Sequence, residues 1–171
     1  MRRLLLALLF LGCTPLPACP DCPRAPTQAE RTVCIDEAFG DDTQAVRHAV
    51  ERWDAALCGV VRLKSETFDG YDLPGPQCSA VIYATESWYP WVQSVIASDK
   101  PGEWTLGIAK PEERAAWIIV DRALVKGGIE DAAAHEIGHL LGASHATLTR
   151  YPQGCVSHGA AVQAAWEQGH K

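Results

Sequence analysis

Between positions 135 and 145 the chain reads His135-Glu136-Ile137-Gly138-His139-Leu140-Leu141-Gly142-Ala143-Ser144-His145. The histidines supply neutral nitrogen donors suited to a zinc ion, and the carboxylate beside the first is not needed as a ligand. On a helix, residues four apart fall on nearly the same face, so His135 and His139 can grip one ion. Glu136, one position on, is turned to the side, where it can hold a water rather than the metal. His145 lies too far along a straight helix to reach the same ion. Gly142 resolves this, because glycine takes the left-handed conformation that ends a helix and lets the chain fold back. Three protein ligands leave the fourth tetrahedral position open, which separates a catalytic zinc from a structural one. A lone histidine on an apolar helix is usually a packed core residue. Three of them, with the glutamate and the glycine both in place, favour the metal site.

These residues match H-E-x-x-H-x-x-G-x-x-H at every specified position and resemble the signature of the metzincin clan of zinc metallopeptidases. The order of elements around the motif also resembles the clan's compact, matrixin-like catalytic domain. The resemblance implies an α+β (mixed α/β) zincin fold, with a twisted mixed sheet, an N-terminal helix, an active-site helix and a C-terminal helix. It implies His135, His139 and His145 as ligands of one Zn2+ and Glu136 as general base in endopeptidase hydrolysis by a zinc-activated water. It further implies an edge strand, here Glu103–Ala109, whose backbone from Thr105 to Ile108 binds an extended peptide substrate. A wall of the substrate pocket would come from Ala146 to Gln153. One departure is clear: the clan places a methionine in a turn beneath the zinc, and this chain has no methionine after Met1. Gly154-Cys155-Val156-Ser157 is the nearest equivalent turn. In the clan that methionine does not bind zinc, so its loss bears on the rigidity of the site. Tyr151 and His158 are candidates for a second oxyanion contact. Two other readings stay open: a non-catalytic, zinc-containing peptide-binding lipoprotein, and a structural zinc closed by a fourth ligand such as His158.

The elements that must position these groups follow from periodicity. Asp41 or Asp42 can cap a helix in which Ala45, Val46, Ala49, Val50, Trp53, Ala56 and Leu57 share a face, with His48 at its surface. Val60–Lys64, Ser79–Thr85 and Ala115–Val120 read as strands, the last covered on both faces. Thr67–Gln77 reads as a loop in which Asp69 and Asp72 could hold calcium, although two loop carboxylates are usually just solvated. Trp88-Tyr89-Pro90-Trp91 is expected to pack in the core, with a cleft or carbohydrate surface as the alternative. Lys100-Pro101-Gly102 marks a turn. Gly127-Gly128 breaks the chain before the zinc helix, whose first turn carries Glu130 and Asp131, as the helix dipole favours. Ala160–Gln168 is expected to form the closing helix.

The remaining features bound the setting. At 171 residues and 47% apolar composition the chain suits a single core, and a net charge of −6 argues against a nucleic-acid partner. Arg2, Arg3 and the apolar Leu4–Leu11 read as a signal peptide over residues 1–12, too short to span a bilayer. Phe10-Leu11-Gly12-Cys13 resembles a bacterial lipobox. This implies lipid on Cys13, a Pro-rich tether over 13–33 and a peptidase domain over 34–171, anchored in an envelope membrane, with simple secretion as the alternative. A monomer is assumed. Of the seven cysteines, lipidation of Cys13 leaves an even set (Cys19, Cys22, Cys34, Cys58, Cys78, Cys155) for disulfides in an exported protein, their pairing left open. Cys19-x-x-Cys22 has a redox or metal reading as its alternative, and Cys22 a remote one as an inhibitory switch.

Overall fold

The structure is a computed structural model and describes residues 29–57, 61–69, 76–126 and 128–143. In chain order it forms strand β1 (Ala29–Asp36), a 3-10 turn (Glu37–Asp42), helix α1 (Thr43–Ala56), β2 (Val61–Phe68) and β3 (Cys78–Thr85). Helix α2 (Pro90–Ile96), β4 (Gly107–Lys110), β5 (Ala115–Ile119), α3 (Val120–Lys126) and α4 (Ile129–Leu140) follow. The strands make one sheet in the order β2-β1-β3-β5-β4. Every neighbouring pair is parallel except β4 with β5. Among the described residues the architecture is thus mixed α/β, with a mostly parallel five-stranded sheet and four α-helices. The closing helix, the methionine-turn equivalent, Tyr151, His158 and residues 1–28 lie outside the described residues.

Alternation along the strands builds the core. Val33 and Ile35 of β1, Ala80 and Ile82 of β3, and Ala116 and Ile118 of β5 turn one face toward α1 and α4. Helix α1 answers with Val46, Ala49, Val50 and Trp53, the stripe expected from its sequence, and α4 with Ala133, Ile137 and Leu140. Each large apolar side chain buried in this way contributes about 1.5–3 kcal/mol. The indole N–H of Trp53 donates to the Ala134 carbonyl at 2.7 Å, and Arg52 reaches Glu130 and Asp131 at 2.8 and 2.9 Å. These contacts pin the first turns of α4 to α1. On the opposite sheet face a disulfide joins Cys34 to Cys78 across β1 and β3. Closing a loop of 44 residues is worth about 4 kcal/mol on the chain-entropy account.

Several elements differ from the sequence-based expectation. Strand β1 starts at Ala29, inside the stretch read as the end of the tether, and Ala29 already pairs with Val61. Its polar opening (Glu30, Arg31, Thr32) gave no apolar signal. Strand β2 continues to Phe68 because it runs in register with the whole of β1, up to Asp36 opposite Phe68. Helix α1 starts at Thr43 with Asp42 at the cap position but making no side-chain cap bond; the carboxylate that does cap is Asp36, on Ala38 N–H of the preceding turn. Trp88, Tyr89 and Trp91 are exposed, at 65%, 39% and 41%, so the aromatic segment lies at the surface and it is the next residue, Val92, that is buried. Pro90 there starts α2 at a position where its missing N–H costs nothing.

Candidate metal centre

Helix α4 is buried along nearly its whole length. From Ala132 to Leu141 the only side chains that are not buried are those of His135 and His139. Gly128, at φ +94°, opens the helix after the expected glycine break. Its far end closes as Gly142 predicts: Gly142 takes φ +86°, its N–H donates to the His139 carbonyl, and Ala143 N–H donates to the Gly138 carbonyl, both at 2.9 Å. This paired closure satisfies the last helical carbonyls and turns the chain back. It also carries the Ala143 carbonyl to within 2.9 Å of His139 Nδ1. A carbonyl only accepts, so Nδ1 carries the proton and, in the neutral ring, Nε2 keeps its lone pair.

That lone pair faces His135. The two Nε2 atoms stand 3.2 Å apart, with the rings nearly perpendicular at 82°. Two imidazole nitrogens on one tetrahedral zinc, each at about 2.05 Å, are about 3.4 Å apart. The pair therefore fits a shared zinc ion, and the Ala143 carbonyl is the kind of outer partner that orients a ligating histidine. His145 lies outside the described residues, as do Ala146–Gln153. Among the described residues no group of three or more His, Cys, Asp or Glu side chains gathers at one point. Asp69 follows β2 directly, Asp72 lies outside the described residues, and His48 sits half-exposed on α1 near Glu130.

Glu136 lies about 100° around α4 from His135, with its side chain against Gly107 of β4. It is 6% exposed. Burial pushes its carboxyl up from 4.5 to about 7, opposed by a hydrogen bond from the Ala109 N–H. In the protein without metal the carboxyl therefore titrates close to neutrality, where a general base works best.

Strand β4 is the sheet edge, as expected, but it is shorter than the expected Glu103–Ala109. Residues 103–106 instead form an irregular strap that leads into β4. The Asp99 carboxylate accepts from both the amide and the hydroxyl of Thr105 and is paired with Arg122 at 2.8 Å. Trp104 packs under two cations, Lys126 at 4.2 Å and Arg122 at 5.1 Å. Ile119 N–H donates to the Leu106 carbonyl. With Gly107 opposite Ile118, the antiparallel alternation then turns the N–H and C=O of Gly107 and Ala109 away from β5. The outward backbone groups thus belong to Gly107 and Ala109, of which the Ala109 N–H meets Glu136, while Thr105 N–H and Leu106 C=O, within the expected Thr105–Ile108 stretch, are engaged elsewhere.

His135, Glu136 and His139 line one cleft with Trp104, Gly107 and Ala109, of about 940 Å³. Sequence reasoning brought the histidine pair and the glutamate together and missed the Ala109 amide and Gly107. An isolated glycine in a strand was the available signal, since it marks a close backbone approach. Comparison with protein-family models, curated proteins and solved structures gave no significant match.

Proposed function

We propose that this chain is an exported zinc endopeptidase of the metzincin type, held at a membrane by lipid on Cys13. The observation that carries the reading is the opposed Nε2 pair of His135 and His139 at 3.2 Å, in one cleft with the buried Glu136. His135, His139 and, by the motif, His145 would hold the ion. When bound, zinc supplies Lewis acidity that polarises a scissile carbonyl and makes water nucleophilic near neutral pH.

The chain's own residues do the rest. The Glu136 carboxylate takes the proton of the attacking water and passes it to the leaving amine. Its burial against β4 keeps bulk water from competing for that proton. The outward N–H and C=O of Gly107 and the C=O of Ala109, whose N–H meets Glu136, offer an extended peptide a strand edge in the cleft that the histidines line. The test is cleavage of a quenched peptide library by the zinc-loaded chain beside its Glu136→Ala variant. Chelator-sensitive cleavage by the parent, lost in a variant that still holds zinc, is expected. No cleavage by the parent, or equal cleavage by both, would contradict the proposal.

A further inference from the structure

Gly40, Gly102 and Gly128 have φ of +54°, +88° and +94°, and a Cβ on any of them would meet nothing within 4 Å. Their backbone conformation explains why they are glycine. Gly107 reverses both properties. It is absent from the positive-φ residues, so its backbone accepts any L residue, and a β-branched one would suit a strand better. A Cβ there would lie 2.5 Å from Glu136 Cγ, 2.8 Å from Oε1 and 2.9 Å from Cδ. The space taken by the Glu136 side chain is the space that a side chain at position 107 would need.

Glu136 has little room to yield. It is 6% exposed, its neighbours on α4, Ala133 and Ile137, are packed in the core, and its carboxylate accepts from the Ala109 amide. Gly107 and Ala109 are two apart on β4, so they share one face of the strand, and Ala109 packs against the core that α4 helps to form. We infer that Gly107 is a positioning residue for Glu136: its bare Cα and the Ala109 amide form a cradle on the edge strand that fixes the carboxylate beside the histidine pair. The catalytic side of this inference rests on the peptidase reading; the cradle itself is a packing relation and can be tested without activity.

The experiment is a double-mutant cycle on the full chain, with Gly107→Ala made in the parent and in Glu136→Ala. Thermal unfolding is followed with chelator present, and kcat and KM are measured on the zinc-loaded forms that retain Glu136. In the parent, Gly107→Ala should lower the unfolding midpoint by several degrees. With Glu136→Ala the side chain that blocks the methyl is gone, and the same change should be neutral or stabilising, as Gly to Ala is at a compatible backbone site. In the zinc-loaded enzyme, Gly107→Ala should reduce kcat at least tenfold, with KM and zinc content held. Equal destabilisation in both backgrounds, or a kcat within twofold of the parent, would overturn the inference. A parent that cuts no peptide overturns the peptidase reading alone, and the stability cycle then decides the cradle by itself.

Discussion

His139 is oriented by the end of its own helix. The left-handed Gly142 sets the turn that brings the Ala143 carbonyl to His139 Nδ1, and that contact fixes which ring nitrogen faces His135. Gly142→Ala strains the turn by about 1 kcal/mol and pulls this partner away. Loss of an outer partner of a ligating histidine weakens metal binding by roughly ten- to a hundredfold, which competition with a chromophoric chelator would read. Unchanged zinc affinity would show that the helix end does not orient the ligand. At this scale the placement of the His135 and His139 rings and of the helix end at Gly142 was legible, because it follows from helical spacing and from glycine's access to positive φ. The Ala109 amide and Gly107 were not, because their closeness to Glu136 depends on which strand lies at the sheet edge beside α4, and local sequence does not carry strand order.

Elements were legible where one face is apolar and long enough to show a period. Helix α1 and the core of β5 met that condition. The short α2 and α3 did not, since seven residues are too few for propensity to hold a helix without tertiary contacts. The strap before β4 was misread as strand because its composition suits either state; what decides is the Asp99 carboxylate, which captures the Thr105 amide. The Asp99 carboxyl is held below its ordinary 3.8, first by the hydroxyl and amide of Thr105 and then by Arg122. A folded-state pKa below the unfolded one contributes stability that is fully present above the unfolded value and is lost as pH falls through the folded one. Asp99→Asn should therefore remove part of the protein's acid sensitivity below 3.8. Urea midpoints from about pH 5 down to about pH 2 would show it, and identical acid slopes in parent and variant would contradict the strap's role.

At the scale of the whole molecule, the described part of the sheet and its packed helices form a cleft lined by β4 and α4, and the candidate chemistry lies along its wall. The proposed anchor is tested by Cys13→Ser, which should move the protein from the membrane fraction to the soluble one and abolish labelling by radioactive fatty acid. Retention of both would place the anchor elsewhere. In the proposed site three histidines hold the metal while Glu136 stands beside it without ligating. The decisive measurement is titration of the metal-free chain with cobalt(II), following visible absorption in the parent and in single alanine variants of His135, His139, His145 and Glu136. A four-coordinate spectrum is expected in the parent and in Glu136→Ala, and its loss in each histidine variant. A histidine variant that keeps the parent spectrum, or a Glu136→Ala variant that loses it, would contradict this ligand set.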